Sequence, residues 1–206
     1  MCQPLHLLFI SWQMALTILL AVAASCPDGW IAPPAGTAFG PACYRSTFPE
    51  TSRSLRRCVE LCGDGAAPLC IGSAEENAFV ATNVASHGFH WTGRYQKPGS
   101  TTDDGGWDGC VSGVAPTFTS WSTGSFAVSG VQPDDNTGDM SIRERSIDEK
   151  GFANCAIVAP TGEWLDDICD SSGLIWSTYP CLCASPGEAS ETFLSDLPAL
   201  ESRPWS

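Results

Sequence analysis

The sequence predicts a single disulfide-stapled α+β domain, in which two short helices and a few short antiparallel strands support a long loop region. Three observations carry this expectation: a cysteine content suited to an oxidising compartment, two capped helical segments, and a Gly-, Ser-, Thr- and Asp-rich stretch that leads into short β-prone runs. At 206 residues the chain can bury a real core and falls in the range of one domain, or at most two.

The cysteines come first. Eleven are more than a chain kept reduced in the cytosol usually carries. Residues 1–25 hold no Lys, Arg, Asp or Glu. They are apolar from Leu5 to Ala24 apart from a few polar residues such as Ser11, Gln13 and Thr17, and end in the small residues Ala21-Val22-Ala23-Ala24-Ser25, so they read as a signal peptide cleaved near Ala23 or Ser25. The same stretch is just long enough to remain as an uncleaved anchor. Cleavage removes Cys2 and leaves an even set: Cys26, Cys43, Cys58, Cys62, Cys70, Cys110, Cys155, Cys169, Cys181 and Cys183. No later segment has the apolar length to span a bilayer, so no membrane insertion is expected once the leader is removed. The destination is secretion.

Charge narrows the partners. Ten Lys plus Arg against 23 Asp plus Glu give a net charge of −13, which repels phosphate backbones and anionic lipid heads. Nucleic acid is not expected as a partner. The excess of carboxylates suits a hard cation such as calcium, and equally serves to keep a secreted protein soluble.

Thr51 to Cys62 reads as the first helix, with Thr51, Ser52 or Ser54 as cap and Leu55, Cys58, Val59 and Cys62 on one face. Gly63 and Gly65 stop it. A second helix opens at Ser73, where Ser73 and Glu76 have capping-box spacing, with Phe79, Val80 and Val84 facing the core. From Trp91 to about Lys150 the composition reads as long loops pinned by Trp107, Phe118, Trp121 and Phe126. Cys155 to Val158 and Tyr179 to Cys183 are short β-prone runs. Residues 26–184 form the domain, and 185–206, rich in Pro, Ser and Glu, read as a mobile C-terminal tail. The alternative for that tail is a short docking helix using Phe193, Leu194, Leu197 and Leu200.

Catalytic signatures are missing. His87 and His90 stand three apart without a Glu, Cys or Asp placed to complete a zinc motif, and read as surface or loop residues. There is no Gly-x-Ser-x-Gly, phosphate-cradling loop or His-Glu-x-x-His. The acid pairs Asp103-Asp104 and Asp166-Asp167 are adjacent, which does not set two carboxylates across a substrate. The chain reads as a binding module rather than an enzyme.

The order of landmarks resembles a known family. Cys26-Pro27-Asp28-Gly29-Trp30, Cys43-Tyr44, the cysteine-bearing first helix, Ile71-Gly72-Ser73-Ala74-Glu75-Glu76-Asn77-Ala78-Phe79, Trp91-Thr92-Gly93, Trp121, Gln132-Pro133-Asp134, Cys155, Gly162-Glu163-Trp164-Leu165-Asp166-Asp167-Ile168-Cys169 and the closing cysteine pair look like a long-form C-type lectin domain. The likeness spans about residues 26–184. It implies a fold of two helices flanking small antiparallel sheets, with a long loop region projecting from one end. It also implies bridges Cys26 to Cys43, Cys62 or Cys58 to Cys183, and Cys155 to Cys169. Cys58 and Cys62 lie one helical turn apart and Cys181 and Cys183 share one face of a strand, so two parallel helix-to-strand bridges are conceivable. Cys70 and Cys110 are then candidates for each other, the alternative being a free Cys110 that joins two chains.

The resemblance further implies a calcium ion held by oxygens of Gln132, Asp134 and Asp166, with Asp139 as the acidic ligand that follows. Calcium takes six to eight oxygens at about 2.4 Å. Gln132-Pro133-Asp134, with a cis proline between amide and acid, implies a galactose-type preference. The departure is Leu165, which stands where the family has a coordinating Asn. Glu149 or Asp135 are substitutes for the acidic ligand. Gln132, Asp134 and Asp166 are the expected ligand-binding residues, with Trp107 and Trp176 as candidates for stacking on a sugar face, while Trp164 reads as core. The expected partner is a carbohydrate or glycoconjugate. The alternative is a lectin-like domain without a sugar site that binds a protein or other surface through the same loops.

Overall fold

A computed structural model describes residues 26–41, 43–100, 105–113, 116–124, 132–133, 154–170 and 178–201. In chain order the elements are β1 (Cys43–Ser46), α1 (Leu55–Cys62), β2 (Ala67–Pro68), α2 (Ala74–Asn83), β3 (His90–Tyr95), β4 (Gly109–Cys110), β5 (Cys155–Val158), β6 (Trp164–Asp167), β7 (Leu182–Ser185) and α3 (Glu191–Glu201). The signal-peptide reading of residues 1–25 and the segment 140–153 lie outside the described residues.

The strands form two antiparallel sheets. In the first, β7 lies between β1 and β2, pairing Tyr44 with Ala184 and Pro68 with Cys183, so the last strand of the domain joins the first two. In the second the order is β4-β3-β5-β6, with Arg94 opposite Cys110, Trp91 opposite Ile157 and Val158 opposite Trp164. Gly93 lets the two sheets approach: its N–H donates to the Leu69 carbonyl at 2.6 Å, and a Cβ there would meet the Pro68 carbonyl oxygen at 2.3 Å.

Both expected helices form, and their caps fix their starts. Helix α1 begins at Leu55 because the Ser54 hydroxyl accepts from the Arg57 N–H, and it ends at Gly63, whose φ of 81° suits glycine. Its residues Leu55, Cys58 and Cys62 are buried. In α2 the Ser73 hydroxyl accepts from the Glu76 N–H at 3.1 Å, as capping-box spacing predicts. The reciprocal half differs: the Glu76 carboxylate accepts from the Gly72 N–H at 2.6 Å and from the Tyr44 hydroxyl at 2.6 Å. Glu76 therefore ties the helix start to β1 as well as capping it. Val80 and Val84 are buried, and Phe79 packs with the rings of Phe39 and Tyr44.

Five disulfides join the described cysteines: Cys26–Cys43, Cys58–Cys181, Cys62–Cys183, Cys70–Cys110 and Cys155–Cys169. Cys58 and Cys62 make two parallel bridges from one face of α1 to residues two apart at β7. Cys110 is bonded to Cys70 in its own chain, so it does not join two chains. Each bridge restricts the unfolded chain, by about 2–4 kcal/mol in the usual case.

The C-terminal segment corrects the sequence reading of a mobile tail. Residues 191–201 form α3, with Phe193, Leu197 and Leu200 buried and Leu194 52% exposed, so one apolar face docks and the other stays in water. The Ser190 hydroxyl accepts from the Phe193 N–H and caps the helix. Phe193 meets the Tyr95 ring at 5.5 Å, the Tyr95 hydroxyl donates to Asp196 at 3.0 Å, and Arg56 of α1 donates from Nε to Glu201 at 2.9 Å. The helix closes the larger apolar cluster, which includes Leu55, Trp91, Tyr95 and Val111.

His90 is a second correction. It is fully buried in β3 rather than at the surface, while His87 is exposed and stacks on Phe48. The Gly88 carbonyl can only accept, so Nδ1 carries the proton, and the Ser46 hydroxyl donates to Nε2 at 2.8 Å. Burial lowers the His90 pKa below its ordinary value.

Two outcomes follow from these contacts. Phe193→Ala is expected to lower the unfolding free energy by about 3–5 kcal/mol in urea titration, whereas a mobile tail would leave it unchanged. The His90 contribution should be fully present above the unfolded histidine value of about 6.5 and be lost as pH falls through the lowered folded value. Urea midpoints should therefore drop on acidification from neutral pH, with a shallower drop in His90→Gln.

Candidate functional site

The long loops rest on one buried indole. Trp164, in β6, donates from Nε1 to the Asn77 side chain of α2 at 2.9 Å. Its ring meets Phe118 at 5.6 Å and Trp121 at 5.7 Å, both edge-on, and the Arg94 guanidinium lies 5.5 Å from the ring centroid. Its backbone holds the same loop, donating to the Ser120 carbonyl at 2.8 Å and accepting from the Ser122 N–H at 2.9 Å. Trp164 is core, as its sequence context predicts, and residues 116–124 are fixed along it.

Gln132 extends this stitching. Its N–H donates to the Ser122 carbonyl at 2.9 Å, and its side-chain oxygen accepts from the Asp166 N–H at 3.1 Å. The Gln132–Pro133 peptide is cis. Gln132 and Asp166 are thus brought together, and both are buried. Asp134, Asp139, Asp135, Glu149 and Trp176 lie outside the described residues.

Beside Gln132 is a cleft of about 600 Å³ whose walls include Arg94, Trp107, Thr117, Thr119, Trp121 and Pro133. Trp107 belongs to it but is only 5% exposed, because its ring stands edge-on against Trp121 at 4.6 Å. Trp121 is the more exposed of the two indoles. Thr117 and Thr119 are exposed on the loop, with alternate residues Phe118 and Ser120 turned towards Trp164. On the rim, Asp108 accepts from Lys97 at 2.9 Å, which holds its carboxyl below the usual value. Sequence reasoning placed Trp107 here and missed Arg94 as a site residue. Trp121 was read only as an anchor.

The calcium expectation meets these residues unevenly. Among the described residues no group of three or more His, Cys, Asp or Glu side chains is arranged to hold a metal ion. Gln132 and Asp166 supply oxygen-bearing side chains, but the Gln132 oxygen already accepts a hydrogen bond. Leu165 packs against the larger apolar cluster and offers no lone pair. The described donors alone do not fit a cation that takes six to eight oxygens.

Comparison with solved structures places this architecture. The chain is similar to the carbohydrate-recognition domain of the mouse scavenger receptor C-type lectin, with 19% identity and a TM-score of 0.54 over 80% of this chain and 100% of that one. This is a C-type lectin-like fold. The C-type lectin CEL-I from Cucumaria echinata shares it at 19% identity and a TM-score of 0.50, over 77% of this chain and 95% of that one. So does a calcium-independent type II antifreeze protein, at 20% identity and a TM-score of 0.50, over 79% and 95%. No family sequence model matches the chain, and no curated protein matches it by sequence. The lectin-like fold is therefore shared with proteins of more than one role.

Those loops depend on the α2 contact. Asn77 also donates to the Gly162 carbonyl at 2.8 Å, so Asn77→Ala leaves both that carbonyl and the Trp164 N–H unpaired in the core. The expected loss is about 1–3 kcal/mol in urea unfolding; an unchanged midpoint would show that Trp164 is held by other contacts.

Proposed function

We propose that this protein is a secreted carbohydrate-recognition module that receives a saccharide in the cleft beside Gln132. The observation that carries the reading is the mixture of groups around one concave space: the Trp121 ring, the Thr117 and Thr119 hydroxyls and the Arg94 guanidinium. A sugar has an apolar ring face and a rim of hydroxyls. It is matched by an aromatic surface and by side chains that both donate and accept. The likeness to a carbohydrate-recognition domain supports the same reading. Secretion is supported by the apolar leader and by five disulfides, which need an oxidising compartment. Among the described residues no helix is long and apolar enough to cross a membrane.

The finer form of the reading is calcium-assisted and galactose-type. It uses Gln132, Asp134, Asp139 and Asp166 as oxygen donors, and a bound calcium ion would supply coordination to neighbouring sugar hydroxyls. Leu165 and the internally bonded Gln132 oxygen favour direct recognition by side chains instead. They also support the second reading, a protein ligand on the same loops.

A glycan array probed with the labelled mature protein, with calcium and with chelator, tests this. Retention on a defined group of saccharides is expected, weakened about tenfold in Trp121→Ala by calorimetry. Retention that survives chelation supports direct recognition, and retention that needs calcium supports the metal-assisted form. No bound saccharide under either condition would overturn the proposal in favour of the protein-ligand reading.

A further inference from the structure

The cleft contains a buried cationic side chain. Arg94 sits in β3, whose residues are buried throughout, and is itself 4% exposed where it lines the cleft. Both of its side-chain hydrogen bonds leave from Nη1, to the carbonyls of Pro116 at 3.1 Å and Phe118 at 3.0 Å. Nε is buried and has no acceptor. Among the described residues no carboxylate forms an ion pair with Arg94; the exposed Asp108 on the rim is paired with Lys97.

Pinning two carbonyls takes donors, not a charge. A neutral amide could do it without the cost of taking a guanidinium out of water, a cost that the exposed, Lys97-paired Asp108 offsets only by attraction without a direct ion pair. The aromatic face of Trp164 offsets part of that cost from one side. Arginine's planar fork is suited to carboxylates and to tetrahedral oxyanions. The chain's net charge of −13 disfavours anions at a distance, so an anion gains here only by direct contact within the cleft.

We propose that the cleft selects saccharides bearing an anionic substituent, a carboxylate or a sulfate ester, with Arg94 as the partner of that group. The sugar ring then lies towards Trp121, Thr117 and Thr119. This rests on the carbohydrate-recognition reading and narrows it to acidic sugars.

The test is calorimetric titration of the mature protein with matched ligands: methyl galactoside, the corresponding methyl galacturonoside, and methyl galactoside 6-sulfate. At least one acidic ligand is expected to bind about tenfold or more tightly than the neutral one, and the two acidic arms tell carboxylate from sulfate. In Arg94→Met the acidic-to-neutral ratio should fall to about one. Because Arg94→Met also releases Pro116 and Phe118, Arg94→Lys provides a second check: it keeps the positive charge and should hold the ratio above one where Arg94→Met does not. Equal binding of acidic and neutral ligands, or a ratio that survives Arg94→Met, would overturn the inference and leave carbohydrate recognition standing. If no saccharide binds, here or on the array, both fall together.

Discussion

The loop region of this domain depends on the burial of Trp164. That single indole accepts edge contacts from Phe118 and Trp121, lies beside the Arg94 guanidinium and donates to Asn77, while its own peptide groups hold Ser120 and Ser122. A loop rich in small polar residues has little apolar surface of its own to offset the entropy of ordering. Here the order is borrowed from β6 and α2. The cleft is consequently a feature of the sheet's edge.

The frame beneath is covalent as well as packed. The two parallel bridges from α1 to the start of β7, Cys58–Cys181 and Cys62–Cys183, tie that helix to the strand that lies between β1 and β2. Cys70–Cys110 fixes β4 against the segment before α2, and β4 is where Trp107 and Asp108 leave the second sheet. Short strands of two to six residues would be marginal alone. Tied by the disulfides in or next to several of them, they carry two apolar clusters, one closed by α3 and one that includes Val80, Val158 and Trp164.

Much of the frame was legible in the sequence because it follows local rules. Ser73 caps α2, and the spacing of Cys58 and Cys62 allows the paired bridges that Cys181 and Cys183 complete. Helix α3 was harder to read. Its buried residues Phe193, Leu197 and Leu200 have helical spacing, but Pro198 and the polar flanks resemble a disordered tail, and only tertiary contact with Tyr95 and Arg56 decides between them. His90 was misread for a similar reason: three residues from His87 it looks like part of a polar loop, yet pairing of β3 with β5, in a strand buried on both faces, buries it. Of the residues that the resemblance implies, Gln132 and Asp166 lie together in the structure. Arg94 was not read as a site residue, because nothing local distinguishes a buried arginine in a strand from an exposed one; its meaning comes from Pro116, Phe118 and Trp164, all distant in sequence.

The proposed recognition requires that a cleft already fixed on Trp164 receive the saccharide. Indole ¹⁵N–¹H resonances of the mature protein, followed without ligand and during titration with a saccharide it retains, test this most directly. The account predicts slow solvent exchange of the Trp164 indole N–H in the free protein, and ligand-induced shifts at Trp121 and Trp107. Rapid exchange at Trp164, or shifts confined to Trp30, would contradict it.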